Sequence, residues 1–182
     1  MAVDSISTHL NVDATSRAAF EDRFRTLLEG DAPALARLAA SYTRSASDRD
    51  DLLQDIAMAV WKALPRFRGE CSERTFLFRI AQNRCLAHLS KRRITVPLDD
   101  EDIDREDPAP TTEHQISLEQ ERHRLVAAVR RLPLIYRQAI TLSLEGLSYK
   151  ELAEVLGISE SNVGVRLNRA RTLLKTFLEE HS

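Results

Sequence analysis

The sequence predicts an all-α protein of two small helical domains joined by an acidic, flexible linker. Three observations lead there. Apolar residues recur at helical spacing along most of the chain, and strand-like alternation is nearly absent. Two mildly basic blocks flank one strongly acidic stretch. That stretch also carries Pro97, Pro108 and Pro110, so charge repulsion and ring constraint both favour an extended chain over a packed one.

The charge division sets the domain layout. Residues 16–94 hold 15 Lys/Arg against 10 Asp/Glu, and residues 114–182 hold 10 against 8. Residues 95–113 set Arg105 against 8 acids, so the overall net charge of -2 conceals the pattern. We therefore expect a disordered tail at 1–15, a first helical domain at 16–94, an acidic linker at 95–113 and a second helical domain at 114–182. Basic surface attracts phosphate and an acidic run avoids it, but such a split also occurs in unrelated proteins.

Composition narrows the class. A chain of 182 residues suits one or two small domains, each with a modest core. Hydrophobic residues at 43% and charged residues at 30% describe a soluble globular protein. No apolar run approaches the roughly 20 residues needed to span a bilayer, so no membrane insertion is expected. Met1 to Asp13 lacks the basic start and apolar stretch of a secretory signal. Cys71 and Cys85 are too few for a disulfide framework and suit a reducing compartment. The expected location is cytoplasmic.

In the first domain, a helix is expected from Ser16 to just before Gly30, and a second from near Asp31 and Pro33. A third runs from Asp48 to Pro65, with Leu52, Leu53, Ile56, Ala57, Val60, Trp61 and Leu64 forming one apolar stripe. Beside that stripe Asp51, Gln54, Asp55 and Met58 make an acidic ledge suited to a basic helical partner; taken alone, an ordinary solvated face explains it as well. A fourth helix follows the loop Arg68-Gly69-Glu70-Cys71-Ser72 and ends in Lys91-Arg92-Arg93. A Gly-containing loop beside aromatic and basic residues suits an unstacked base of single-stranded DNA. Phe76 and Phe78 stand two apart and cannot share a helical face, so at least one belongs in the core.

The most specific local pattern spans residues 148–178. Ser148-Tyr149-Lys150-Glu151 reads as a capping box, and Gly157 sits where a helix end needs a left-handed turn. Ser159 caps a second helix whose apolar residues Val163, Leu167, Ala170, Leu174 and Phe177 alternate at spacings of 4 and 3. On the other side lie Ser161, Asn162, Arg166 and Arg169, then Arg171 and Lys175. The start of such a second helix enters the major groove, where Arg reads guanine and Asn reads adenine, and later basic residues meet phosphates. A helical hairpin with a solvated basic face is the plain alternative.

Taken together these segments resemble the ECF (extracytoplasmic-function) sigma factors. Asp50-Asp51-Leu52-Leu53-Gln54-Asp55, Trp61-Lys62-Ala63-Leu64, Phe67-Arg68-Gly69-Glu70 and Thr75-Phe76-Leu77-Phe78-Arg79-Ile80-Ala81-Gln82-Asn83 are similar to region 2 of that family. Leu132-Pro133, Gly146-Leu147-Ser148-Tyr149, Glu151-Leu152-Ala153, Leu156-Gly157-Ile158-Ser159 and Arg166-Leu167-Asn168-Arg169-Ala170-Arg171 are similar to region 4. The resemblance covers roughly residues 16–178, in the family's order and spacing.

The resemblance implies a role for each position. Asp51, Leu52, Gln54 and Asp55 match the segment that docks on core RNA polymerase. Arg68, Gly69, Glu70, Cys71 and Ser72 match the loop that captures a flipped base of the minus-ten element, and Arg79, Gln82 and Asn83 the helix beside it. Ser161, Asn162, Arg166 and Arg169 fall where the family reads the minus-thirty-five element. The implied function is promoter recognition for transcription initiation, with core RNA polymerase and promoter DNA as partners and an anti-sigma factor as regulator. Four positions depart from the family's habit: Phe76 and Phe78 replace common Trp and Tyr, and Gly164 and Val165 stand where Lys and Ser are frequent. No sensory domain is expected after Phe177.

Two rival readings remain. A stand-alone helix-turn-helix regulator explains residues 148–178 but leaves the first block and the acidic stretch unused. An enzyme is not expected, because no nucleophile arrangement or phosphate-binding glycine loop is present. Cys85 and His88, three apart on a helix, with Cys71 as a third, are the nearest approach to a metal set; packing is the better reading, so neither metal nor cofactor is called for.

Overall fold

The computed structural model describes residues 4–95 and 113–180; most of the acidic stretch lies outside the described residues. Among them are seven α-helices and no strand: α1 (Asp4–Ala40), α2 (Ala46–Ala63), α3 (Glu73–Thr95), α4 (Glu113–Arg131), α5 (Leu134–Leu144), α6 (Tyr149–Leu156) and α7 (Glu160–Glu179). A single 3-10 turn, Leu64–Arg66, follows α2. Helices α1, α2 and α3 pack on one another, as do α4 to α7, and α3 also packs against α6.

The first helix differs from the expected pair. One helix, α1, runs from Asp4 through Gly30 and Pro33 to Ala40, so residues 4–15, expected in a disordered tail, are helical. Glycine inside a helix costs about 1 kcal/mol relative to alanine, and an interior proline removes one backbone bond. Burial on both sides of the interruption offsets this: Leu27 before it and Ala34, Leu35, Leu38 and Ala39 after it all lie in the core. A stripe that continues in register across a weak spot keeps the helix whole.

Helix α2 begins earlier than expected. Ser45, not Asp48, caps it, with the Ser45 hydroxyl accepting from the Asp48 amide. The expected stripe is buried at Leu52, Ile56, Val60 and Leu64, but Trp61 is 39% exposed and lies at its edge. There its ring meets Phe20 and Phe24 edge-on, at centroid distances of 4.6 and 4.9 Å. In α3, Leu77, Phe78, Ala81 and Cys85 are fully buried. Phe78 is therefore the core aromatic, while Phe76 is half-buried against Phe67, with ring centroids 4.5 Å apart.

The C-terminal helices follow the sequence reading closely. Pro133 forms the N-cap of α5. Both halves of the Ser148/Glu151 capping box form, and Gly157 ends α6 with φ of 66°. Ser159 caps α7 by accepting from the Asn162 amide. Val163, Leu167, Ala170 and Leu174 are buried. Phe177 is half-buried beneath the Arg131 guanidinium, 4.2 Å above its ring.

Candidate nucleic-acid interfaces

Three surfaces carry the expected site residues. The first is on α2, where Asp51 and Gln54 are exposed and Asp55 is half-exposed, with its Oδ2 3.9 Å from Arg84. Met58, 50% exposed, and Trp61 continue this face with apolar surface. Leu52 does not belong to it. Its side chain is 2% exposed, so it holds α2 to the core and presents nothing to a partner.

The second surface is the loop before α3. Arg68, Gly69 and Glu70 are exposed, and Gly69 adopts φ of 78°, a conformation that residues bearing a Cβ rarely hold. Ser72 ends the loop: its hydroxyl accepts from the Thr75 amide at 3.0 Å and contacts the Thr75 hydroxyl at 2.8 Å. Cys71 is half-buried, 4.0 Å from Arg79 Nη2, which places Arg79 directly behind the loop. Asn83 is exposed one turn on. Gln82 is not: it is 2% exposed, and its amide donates to the buried Tyr42 hydroxyl at 3.0 Å. Gln82 is thus a satisfied core polar group, and burial raises the Tyr42 pKa to about 12.

The third surface is the leading edge of α7. Ser161 and Asn162 are exposed, and Asn162 Oδ1 accepts from Arg166 Nε at 3.2 Å, which pre-aims the guanidinium. Arg169 is exposed and its Nη1 reaches the Tyr136 hydroxyl at 3.3 Å. Val165, 48% exposed, adds an apolar contact to the same edge. At Gly164 an added Cβ would stand 3.7 Å from the Tyr149 ring, ordinary contact, so the glycine is not sterically required.

The candidate metal set comes to little. Cys85 is fully buried, and burial pushes its thiol up to about 12, which disfavours the thiolate a metal needs. His88 Nε2 instead faces Asp48 at 3.3 Å. Among the described residues no three His, Cys, Asp or Glu side chains gather as a metal site.

What local sequence signals did not reveal is a seam between the two halves. Arg37 of α1 makes a paired contact with Glu145, at 3.0 and 2.6 Å. Arg74 at the start of α3 bonds Asp31 at 2.9 Å and the Glu145 carbonyl at 2.7 Å. Thr75 Oγ1 reaches Glu151 at 3.4 Å, and Arg130 of α4 donates twice to the Ala40 carbonyl. The partners that cross between the halves stand 71 to 108 residues apart, while Arg74–Asp31 lies within the first half. No short-range pattern encodes such pairs.

Comparison with known proteins agrees with this geometry. The family model for Sigma-70 region 2 matches residues 27–94, and that for Sigma-70 region 4 matches residues 122–174. These define a sigma-70 class protein, with α1–α3 carrying region 2 and α4–α7 region 4. The sigma factor NccH of Alcaligenes xylosoxydans xylosoxydans is 34% identical over 90% of this chain and 91% of its own length. The ECF sigma factor SigM of Mycobacterium tuberculosis is 32% identical over 91% of this chain and 80% of its own. Among solved structures, CnrH in complex with the cytosolic domain of CnrY matches with a TM-score of 0.67 and 28% identity, covering 89% of this chain and 91% of that one. RpoE bound to the anti-sigma factor NepR, from Bartonella quintana, matches with a TM-score of 0.67 and 25% identity over 86% of this chain and 97% of that one. The chain belongs to the ECF sigma factors of bacterial RNA polymerase.

Proposed function

We propose that this protein docks on core RNA polymerase through the exposed acidic face of α2 and directs it to promoters read at two places. Asp51, Gln54 and Asp55, with Met58 beside them, offer a charged rim around an apolar contact, a composition that suits a basic helical partner. The loop Arg68 to Ser72, backed by Arg79 and Asn83, takes an unpaired base of the minus-ten element. Ser161, Asn162, Arg166 and Arg169 read the minus-thirty-five element in the major groove, with Arg166 held ready by Asn162. The protein performs no catalysis itself. Because its partners are core polymerase and promoter DNA, its place is the cytoplasm; among the described residues no helix is long and apolar enough to cross a membrane.

The observation that carries this reading is that one chain presents three exposed surfaces of the required chemistry in the family's order: an acidic helix face, a glycine loop, and a basic leading edge. A stand-alone regulator would need only the last. The two promoter elements lie about 25 base pairs apart, or about 85 Å along B-form DNA at ~3.4 Å per pair. In this structure Thr75, at the foot of the loop, touches Glu151 of the helix-turn-helix. Both elements can be read together only after the two halves part. The packed arrangement is therefore a resting form, and an anti-sigma factor that holds the halves together would keep it so.

The deciding experiment is gel filtration and pull-down of the purified chain with core RNA polymerase, repeated with Asp51→Arg/Asp55→Arg. Stoichiometric binding lost in the variant supports the reading. DNA binding by the intact chain without any polymerase binding would support the stand-alone regulator instead.

A further inference from the structure

Helix α7 turns Val163, Leu167, Ala170 and Leu174 into the core, so its opposite side faces outward. At 3.6 residues per turn, Val165 lies roughly 160° around the helix from both Val163 and Leu167. It therefore stands at the middle of the outward face, 48% exposed, with Ser161 one turn before it and Arg169 one turn after. Arg166, by contrast, is half-buried at the flank of this face. A lone exposed valine on an ordinary surface needs no explanation. This one occupies the centre of the side offered to the major groove.

Its neighbours allow a close approach. Gly164 has no side chain and Ser161 a short one, so neither holds the helix away from the base edges. The longer polar groups are drawn to the sides: Asn162 Oδ1 accepts from Arg166 at 3.2 Å, and Arg169 Nη1 reaches the Tyr136 hydroxyl at 3.3 Å. Polar readers thus flank an apolar centre. A valine side chain has no donor or acceptor, so it cannot match the hydrogen-bonding pattern of any base. The one apolar landmark in the major groove is the 5-methyl group of thymine. Over a cytosine the same valine would cover an amino group and give it no partner.

We infer that Val165 is a specificity-determining residue, which packs its isopropyl group on the 5-methyl group of one thymine at the centre of the minus-thirty-five element. The inference rests on α7 reading DNA in the major groove, as proposed above. It requires neither polymerase docking nor reading of the minus-ten element. Gly164 and Val165 then do more than lose polar contacts: together they change which base is read.

The test selects binding sites from a duplex library randomised across both promoter elements. It uses the full chain bound to core RNA polymerase and, separately, the full chain alone. The selected minus-thirty-five element should contain a T·A pair that no other pair replaces. Uracil, which lacks only the methyl group, is then placed at each thymine of that element in turn. At one thymine it should weaken binding about fourfold, the size expected for removing one buried methyl group. Val165→Ser should abolish that difference and relax the choice of base at the same pair, while neighbouring pairs keep their preference. Val165→Thr, which retains one methyl group, should keep part of the uracil effect. The position is exposed, and melting temperatures report the folding of both variants.

An element without an obligatory thymine overturns the inference, and so does equal binding of thymine and uracil at every position. A loss in Val165→Ser that is equal for both bases also overturns it, because that assigns the residue to the DNA backbone or to helix stability. Sites selected by the chain alone, but not with polymerase, mean that the sigma reading fails while the uracil comparison on those sites still decides the role of Val165. A holoenzyme that selects its element and ignores the change to uracil means that the sigma reading stands and this inference fails. Selection by neither sample overturns both.

Discussion

Arg37 Nη2 lies 2.6 Å from Glu145 Oε2 across the seam, and the Glu145 side chain is only 5% exposed although Arg37 remains 55% exposed. The hydrogen bond to Glu145 raises the Arg37 pKa above its ordinary value. Glu145 follows the last residue of α5 and its carbonyl also accepts from Arg74. One residue thus receives two arginines from the opposite half.

Replacing Arg37 by Ala should loosen the seam without unfolding either half. The half-exposed pair is worth about 1 kcal/mol after solvent screening, which is roughly a fivefold change in the ratio of parted to packed forms. Distances between spin labels on α1 and α7 should broaden toward longer values. An unchanged distribution would mean that Arg74 and Arg130 hold the seam without help.

The proposed docking face on α2 can be tested apart from folding. Asp51→Arg with Asp55→Arg should abolish polymerase binding while the melting temperature stays within a few degrees of the parent, since both side chains are at the surface. Leu52→Ala should behave in the opposite way, costing about 2–5 kcal/mol of stability through the cavity it leaves. Calorimetric melting alongside pull-down distinguishes the two.

On α7, Arg166→Ala should cost about 1–3 kcal/mol of discrimination at the minus-thirty-five element. Lys175→Ala should weaken binding evenly across sequences and reduce the salt slope by about one. Holoenzyme binding to promoter variants, measured at several salt concentrations, resolves them. Equal, sequence-independent losses would place both residues on the DNA backbone.

The capping box predicts a pH effect. Hydrogen bonds from the Ser148 amide and hydroxyl lower the Glu151 pKa below its ordinary 4.5. A depressed carboxylate stabilises the fold above its unfolded-state value, and that contribution fades as pH falls through the folded value. Glu151→Ala should therefore cost about 1 kcal/mol at neutral pH and progressively less below pH ~4.5. Glu151→Gln, which preserves the box, should be milder and remove the pH dependence. Urea titrations at pH 7 and pH 3.5 report both.

Legibility in the sequence followed the range of the interaction. Ser148, Glu151, Gly157 and Ser159 act on neighbours three or four residues away, so the helix-turn-helix could be read position by position. The break expected at Gly30 failed because packing of Leu27, Ala34 and Leu35 outweighs a local propensity of about 1 kcal/mol. Leu52 and Gln82 carried roles by resemblance that their burial does not allow, since a motif specifies the residue but not which face turns inward. Gln82 shows the difficulty best: its partner Tyr42 is 40 residues away. The seam arginines gave no local sign at all.

The closed capping box and the Gly157 turn lie wholly within the C-terminal half, and the seam hydrogen bonds are donated by side chains to a carboxylate or to a carbonyl at a helix end. Parting the halves therefore separates the packing of α3 on α6 along with these bonds, and melts no helix. Activation is then a hinge movement, expected in microseconds to milliseconds, rather than a refolding event. The DNA-reading element is kept in stock fully assembled, and the delay between signal and transcription is set by whatever releases the clasp.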